Sequence, residues 1–249
     1  MSYKIYPDCI KKNDSNELFK YILSLCNFYK PGTFKSFSNY SKTWTDPKFI
    51  KSMQKLRNSK RIFSSIYDSI QVSNELQKIP FNSRLDKIAT DFLKVKNINL
   101  LIRGIQFRID FPNDSRNSYG WHQDNAYDQY NTYSKNGVVL WIPLIDTNEN
   151  NGTLIIKPGS ELSSFNCSKR FYSGDKYKSE QILVLKKYLN KYKSLSVDVK
   201  KNHCLATYCG IFHKSGVNIS NHIRFTMVVR YNNQLSKDFL FYRNLKNVK

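Results

Sequence analysis

The stretch GVVLWIPLIDTNENNGTLIIKPGS, residues 137–160, contains two short apolar segments joined by a polar turn. Both segments are rich in β-branched residues and are bounded by Gly, Asn, Asp or Pro, which is typical of strands. Comparable segments occur on either side, at residues 99–111, 203–212 and 223–232. From about residue 98 to residue 232, the hydrophobic pattern therefore predicts a run of strands.

The chain before residue 95 has a different hydrophobic period. In residues 16–29, apolar side chains recur at helical spacing after Asp14, and Pro31 then predicts the end of the helix. Further helices are predicted at residues 47–70, at 83–94 and, as an insertion among the strands, at 179–192. Helices followed by strands predict an α+β chain whose β part is a sandwich or a barrel.

Residues 1–249 are predicted to form a single domain, because the sequence contains no internal repeat and no clear linker. Its parts are a mainly helical front at residues 1–95 and a β core at 98–232, which carries an insert at about 161–195.

Charge is the most unusual property of the composition. The chain has 40 Lys and Arg against 19 Asp and Glu, a formal net charge of +21 and a pI near 9.7. Such a surface attracts anions, including nucleic acid, acidic lipid headgroups and phosphorylated or carboxylated small molecules. A general abundance of lysine is the simpler explanation, because the lysines are spread along the chain without a block of like charges.

Cysteine usage and hydropathy indicate a cytoplasmic protein. The five cysteines are odd in number and lack CxxC spacing, so they indicate neither a disulfide framework nor a zinc site. No apolar run approaches the length of a membrane span, and the N-terminal residues lack the apolar segment of a secretory signal.

The residues that carry chemistry are His122 and Asp124. In an extended segment, residues i and i+2 point to the same side, so these two side chains would project into one cavity. An imidazole and a carboxylate placed in this way can take two adjacent positions on a metal ion, and His213 offers a third ligand. Two histidines and one carboxylate form the facial triad of non-haem iron(II) oxygenases. On its own, so short a motif more often describes a hydrogen-bonded histidine beside a solvated aspartate than a metal site.

The surrounding motifs resemble those of the phytanoyl-CoA dioxygenase family of 2-oxoglutarate oxygenases. Members of that family have Trp-His-Gln-Asp, a Trp-x-Pro-Leu-type strand, an Asn-Gly turn, Pro-Gly-Ser, and His-x-Ser followed by an arginine about eleven residues later. This chain has the same motifs in the same order, at 121–124, 140–144, 151–154, 158–160, 213–215 and 224. The resemblance covers about residues 98–232, roughly half of the chain. Asn202 and Thr153 depart from the family pattern, and neither departure removes a ligand.

The resemblance implies a double-stranded β-helix, or jelly-roll, core with the N-terminal helices packed on one sheet. It also implies Fe(II) bound by His122, Asp124 and His213, with 2-oxoglutarate and O2 as cosubstrates and no catalytic residue beyond the metal site. We expect Arg224 to bind the distal carboxylate of 2-oxoglutarate, because a guanidinium group offers a rigid two-point fork. A surface arginine at the start of a strand is the alternative.

The remaining site candidates have supporting roles. Ser215 is expected to add a hydrogen bond to the cosubstrate, and Gln106 to the cosubstrate or the substrate. Trp141 is expected to form a wall of the cavity, although packing in the core explains it nearly as well. Three residues next to the metal motif are candidates for the substrate pocket: Gln123, Asn125 and Tyr127.

The predicted function is hydroxylation of an unactivated C–H bond in a small molecule, anionic or linked to an anionic carrier, with release of succinate and CO2. Because Asp124 is present, we expect a hydroxylase rather than a halogenase. The alternatives are a nucleic-acid demethylase of related chemistry and a non-catalytic metal-binding jelly roll. Nucleic acid is not expected, since its enzymes concentrate positive charge beside stacking aromatic residues.

Overall fold

The computed structural model describes residues 1–37, 43–81, 83–100, 104–114, 118–127, 134–163, 168–171, 181–233 and 235–236. Within these residues, the chain forms a helical layer and two main antiparallel β-sheets. Cys167 and parts of the predicted insert and of the strand predicted at 99–111 lie outside the described residues.

The helical layer comes from the first part of the chain. Its helices are α1 (Lys12–Tyr29), α2 (Pro47–Asn58), α3 (Lys60–Gln71), α4 (Asn74–Gln77) and α5 (Ser83–Leu93). Each of the longer helices places apolar side chains at helical spacing into one core, such as Leu18 and Ile22 from α1. Asp46 caps α2, because its carboxylate accepts hydrogen bonds from the backbone N–H groups of Lys48 and Phe49.

The single helix predicted at residues 47–70 is wrong, because the chain breaks it into α2 and α3. The break falls at Ser59, whose backbone angles are φ −85° and ψ 87°. Asn58 and Ser59 disfavour a helix interior, since their side chains compete for backbone hydrogen bonds. The change of direction allows Leu56 of α2 and Phe63 of α3 both to be buried.

The larger sheet has the strand order β1–β9–β4–β11–β2, and β3 also pairs with β11. Its strands are β1 (Tyr3–Tyr6), β2 (Ile98–Leu100), β3 (Gln106–Asp110), β4 (Gly137–Pro143), β9 (Cys204–Tyr208) and β11 (Arg224–Asn233). The smaller sheet has the order β10–β5–β8. Its strands are β5 (Leu154–Lys157), β8 (Leu195–Ser196) and β10 (Phe212–Ser215). All of these pairs are antiparallel.

The two faces of the larger sheet have different partners. In β11, Phe225 and Met227 point into the core that the helices share. Because side chains alternate along a strand, Arg224, Val228 and Arg230 point to the other face, where they line a cavity between the sheets. The predicted jelly-roll core, with helices packed on one sheet, is therefore confirmed.

The helix predicted at residues 179–192 is also wrong. Gln181–Val184 form strand β7, which pairs with β6 (Ser168–Phe171), and a single short helix, α6, follows at Lys186–Leu189. Ile182 and Val184 are buried and their neighbours are not, which is the period of a strand. In the described part of the chain, no helix is long and apolar enough to cross a membrane.

Candidate metal centre and cosubstrate site

The three predicted ligands converge on one point between the sheets. His122, Asp124 and His213 are all buried, and their ligand atoms lie within 4.8 Å of one another. Asp124 Oδ1 is 3.5 Å from His122 Nε2 and 3.5 Å from His213 Nε2. Adjacent ligands at about 2.1 Å from a metal ion lie about 3.0 Å apart, so only a small inward movement would bring these atoms to bonding distance. The donor set fits the facial triad of an iron(II) oxygenase.

Backbone pairing brings the two histidines together. His122 N donates to His213 O at 2.9 Å, and His213 N donates to His122 O at 3.0 Å. Residues facing each other in such an antiparallel pair have side chains on the same side. Gln123 is extended (φ −120°, ψ 134°), so Asp124 returns to the side of His122 before a 3-10 helix, Asp124–Ala126, turns the chain away. The expected i, i+2 geometry thus arises from one bridge and one extended residue rather than from a regular strand.

A backbone carbonyl oxygen orients each of the two histidine rings. His122 Nδ1 lies 2.8 Å from Gly120 O, and His213 Nδ1 lies 3.0 Å from Ile211 O. A carbonyl oxygen only accepts, so each Nδ1 carries the proton and each Nε2 keeps its lone pair for a metal ion. Burial, and next the proximity of His213, lower the pKa of His122 below its usual value. The rings are therefore set in the form that a metal requires.

Asp124 is held in its charged form. Burial acts to raise its pKa, but the positive charge of Arg230, and next the proximity of the two histidine rings, outweigh burial and hold the pKa well below its usual value. Arg230 Nε donates to Asp124 Oδ2 at 2.5 Å. Arg230 was not among the site residues predicted from sequence, although its spacing was a usable signal. It lies an even number of residues after Arg224 on β11, so both side chains face the same cavity.

Arg224 lies in the wall of the same cavity, but its environment differs from the expectation. Although His213 and Arg224 are only eleven residues apart in the sequence, they lie on strands of different sheets. β10 belongs to the smaller sheet and β11 to the larger one, so the two residues face each other across the cavity. Arg224 Nη2 also donates to Asp110 Oδ2 at 2.8 Å, whereas its buried Nε has no hydrogen-bond partner among the described residues.

Asp110 links two buried arginines. Its Oδ2 accepts from Arg224, and its Oδ1 accepts from Arg108 Nη2 at 3.2 Å. Burial acts to raise the pKa of Asp110, but Arg108 and Arg224 outweigh burial and lower it from 3.8 to about 2. Asp110 and Arg108 were not singled out in the sequence, because only the register of β3 against β11 brings them beside Arg224.

Two adjoining cavities lead to the triad. The inner one is lined by the three predicted metal ligands and by Arg224, Ser215 and Trp141, and the outer one by His122, Asp124, Tyr119 and Tyr127. Gln106, Arg108 and Arg230 line both cavities.

The other predicted site residues are placed as follows. Trp141 both lines the inner cavity and packs in a hydrophobic cluster. Its position therefore agrees both with a role as cavity wall and with a role in core packing. Ser215 Oγ accepts a hydrogen bond from Tyr119 N at 3.2 Å, and Gln106 Oε1 accepts one from Arg230 Nη1 at 3.3 Å.

Gln123 and Asn125 do not line these two cavities. Gln123 is fully buried and its amide nitrogen donates to Gly210 O at 2.8 Å. The Asn125 amide is buried and has no hydrogen-bond partner among the described residues. Tyr127 accepts a hydrogen bond from Ile182 N at 3.1 Å, which joins the outer cavity to β7.

Several solved structures are similar to this chain in fold. The non-heme monooxygenase ThoJ, in its apo form, matches with a TM-score of 0.58 and 14% identity, over 93% of this chain and 74% of ThoJ. The non-heme alpha-ketoglutarate-dependent epimerase SnoN from nogalamycin biosynthesis matches with a TM-score of 0.56 and 12% identity, over 93% of this chain and 78% of SnoN. AviO1 from Streptomyces viridochromogenes matches with a TM-score of 0.55 and 14% identity, over 96% of this chain and 93% of AviO1. This chain spans 31% of the length of another match, EvdMO1, at a TM-score of 0.46.

The family is shown by sequence. No curated protein matches the chain. The family model "Phytanoyl-CoA dioxygenase (PhyH)" matches residues 32–226, which is more than half of the chain and includes the triad and Arg224. Iron, 2-oxoglutarate and O2 are the cofactor and cosubstrates that this family uses. The chain therefore belongs to the phytanoyl-CoA dioxygenase family and is a 2-oxoglutarate-dependent non-haem iron oxygenase.

Proposed function

We propose that the protein hydroxylates an unactivated C–H bond of a small anionic molecule, while 2-oxoglutarate is converted to succinate and CO2. The observation that carries this proposal is the complete triad of His122, Asp124 and His213, with Arg224 in the wall of the same cavity. When bound, iron supplies the oxidation of the C–H bond by O2. The residues of the chain hold the ligands, orient the cosubstrate and exclude water. Asp124 fills the ligand position that a halide takes in related halogenases lacking this acid, which favours hydroxylation.

Arg224 is the proposed anchor for the distal carboxylate of 2-oxoglutarate. A buried N–H without an acceptor costs free energy, and a carboxylate beside Arg224 Nε would remove that cost. Asp110 holds Nη2 of the same guanidinium group and so fixes the direction in which the remaining donors point. Ser215, in the same wall, is the proposed source of a further hydrogen bond to the cosubstrate.

Charge balance in the site supports an anionic substrate. Among the described residues of the site, three guanidinium groups, on Arg108, Arg224 and Arg230, stand against two carboxylates, on Asp110 and Asp124. The difference is one positive charge, and it persists when Fe(II) and the 2-oxoglutarate dianion bind, because their charges cancel. An unbalanced charge in a buried site is costly, so a substrate with one carboxylate or phosphate group would be favoured. Arg108, which lines the outer cavity beside Tyr119, is the proposed partner of that group.

We further propose that the protein works in the cytoplasm. Cys9, Cys26, Cys204 and Cys209 are all free and buried, as expected for thiols in a reducing compartment.

The test is succinate release by the Fe(II)-loaded enzyme against a panel of small carboxylic acids, each paired with its methyl ester. We expect some acids to stimulate succinate release above the substrate-free rate and to gain one oxygen atom, and their esters to be poorer substrates. Arg108→Met should remove the preference for acid over ester. Equal use of acids and esters would contradict the proposal that the substrate is anionic. Tight, salt-dependent binding of a methylated oligonucleotide, coupled to succinate release, would indicate a nucleic-acid substrate instead of a small molecule.

A further inference from the structure

The two oxygens of the metal-binding carboxylate have different surroundings. Asp124 Oδ1 lies 3.5 Å from both histidine Nε2 atoms, on the side where the metal ion would bind. Asp124 Oδ2 accepts a hydrogen bond from Arg230 Nε at 2.5 Å. Both side chains are buried, with 7% of Arg230 and 2% of Asp124 exposed. The charged guanidinium group of Arg230 therefore binds Oδ2, the carboxylate oxygen that does not face the two histidines.

Arg230 is itself held in place from two sides. Its Nη1 donates to Gly104 O at 3.4 Å and to Gln106 Oε1 at 3.3 Å. Its backbone lies within β11, opposite Val139 of β4 in the middle of the larger sheet. The guanidinium group thus belongs to the wall formed by the larger sheet, whereas the two histidines lie on segments paired with the smaller sheet. The bond between Arg230 and Asp124 ties these two walls together at the metal position.

The orientation of this carboxylate decides how many iron positions stay open. A carboxylate binds a metal ion through one oxygen or through both. A triad whose carboxylate binds through one oxygen leaves three of the six coordination positions of the iron open. Two of these positions serve 2-oxoglutarate and one serves O2. A carboxylate that uses both oxygens leaves only two. A charge-assisted hydrogen bond to Oδ2 opposes the second metal bond, because forming that bond would require Oδ2 to leave its donor.

We propose that Arg230 is a positioning residue that restricts Asp124 to one metal bond, through Oδ1, and so keeps three positions open on the iron. The inference rests on the proposed function of the triad as an Fe(II) site. It concerns binding geometry and makes a prediction that a merely structural role would not make. Because Arg230 is a cation beside the ion, its removal takes away repulsion and frees a ligand oxygen, so metal affinity should not fall. The affinity of the metal-loaded protein for 2-oxoglutarate should fall.

The test compares Arg230→Met and Arg230→Lys with the wild type, with Co(II) as a stable spectroscopic substitute for Fe(II). We expect Arg230→Met to bind Co(II) at least as tightly as the wild type and to bind 2-oxoglutarate on the order of tenfold more weakly, with a changed visible Co(II) spectrum. Arg230→Lys, which keeps one charged donor, should restore most of the 2-oxoglutarate affinity. Arg57→Met is the matched control, since Arg57 also forms a largely buried pair with a carboxylate, Asp114, and lines neither cavity.

The outcomes separate the inference from the proposed function. A wild type that binds neither Co(II) nor 2-oxoglutarate would overturn both. A wild type that binds both, together with an Arg230→Met variant that binds 2-oxoglutarate equally well, would overturn only the role of Arg230. Parallel loss of Co(II) and 2-oxoglutarate binding in Arg230→Met and Arg230→Lys, with a lower Tm in each, would show that Arg230 only supports the fold.

Discussion

Replacement of Asp110 by asparagine should destabilise the protein in a way that 2-oxoglutarate reverses. Asp110 is the shared acceptor of Arg108 and Arg224, and all three side chains are largely buried. The change keeps the size of the side chain and removes its charge, so two cations remain without their common anion. Lowering the pKa of Asp110 from 3.8 to about 2 corresponds to about 2 kcal/mol of stability at neutral pH. Removing one member of a buried ion pair typically costs about 3–5 kcal/mol, so we expect a loss of about 2–5 kcal/mol.

The assay is urea unfolding at neutral pH, with and without 2-oxoglutarate and Co(II). The cosubstrate should stabilise Asp110→Asn more than the wild type, because its carboxylate would supply a negative charge beside Arg224. A lowered pKa gives stability that is present above the unfolded pKa and is lost as the pH falls through the folded pKa. The wild type should therefore lose this contribution between about pH 4 and pH 2, and Asp110→Asn should not.

The control is Asp146→Asn, since Asp146 is exposed and its ion pair with Lys200 is at 3.5 Å. Exposed pairs contribute little, so this variant should unfold within about 0.5 kcal/mol of the wild type. If Asp110→Asn behaves like Asp146→Asn, the link between the two arginines does not stabilise the site and the reasoning fails.

Three further changes test the site. Arg224→Gln should raise the KM for 2-oxoglutarate by on the order of thirtyfold or more, equivalent to about 2 kcal/mol, and leave Co(II) affinity unchanged by calorimetry; an unchanged KM would mean that another residue holds that carboxylate. Asp124→Ala should abolish substrate-coupled succinate release while circular dichroism shows a folded chain; a chlorinated product from the wild type would contradict the assignment as a hydroxylase. Gly216→Ala should lower Tm and weaken Co(II) binding, because the added Cβ would collide with Thr153 O where β10 meets β5; normal Co(II) affinity would show that this turn does not position His213.

The convergence of His122, Asp124 and His213 was predictable from sequence, because the first two are local neighbours and the order of motifs identifies the third. His122 and Asp124 lie two residues apart, and the order of motifs up to Arg224 carries the family pattern. Arg230 and Asp110 were not predicted, because their roles depend on which strands pair and in what register. That register is set by packing of the whole sheet and leaves no short motif.

Errors in the fold came from apolar runs that fit more than one structure. Residues 182–185 form a short apolar run, and pairing with β6 makes most of this run a strand rather than the first turns of a helix. Residues 47–70 keep a helical period across Ser59, so periodicity alone gave no sign of the break between α2 and α3. β1 and β8 were not predicted, since each is short and gains its hydrogen bonds only from β9 or β5.

The central claim is that His122, Asp124 and His213 bind one iron ion to which 2-oxoglutarate then binds. Its most direct test is anaerobic titration of the purified protein with Fe(II) and 2-oxoglutarate, followed by visible absorption. We expect a charge-transfer band that saturates at one Fe(II) per chain, requires 2-oxoglutarate, and is absent in His213→Ala. No band in the wild type, or an equal band in His213→Ala, would contradict the account.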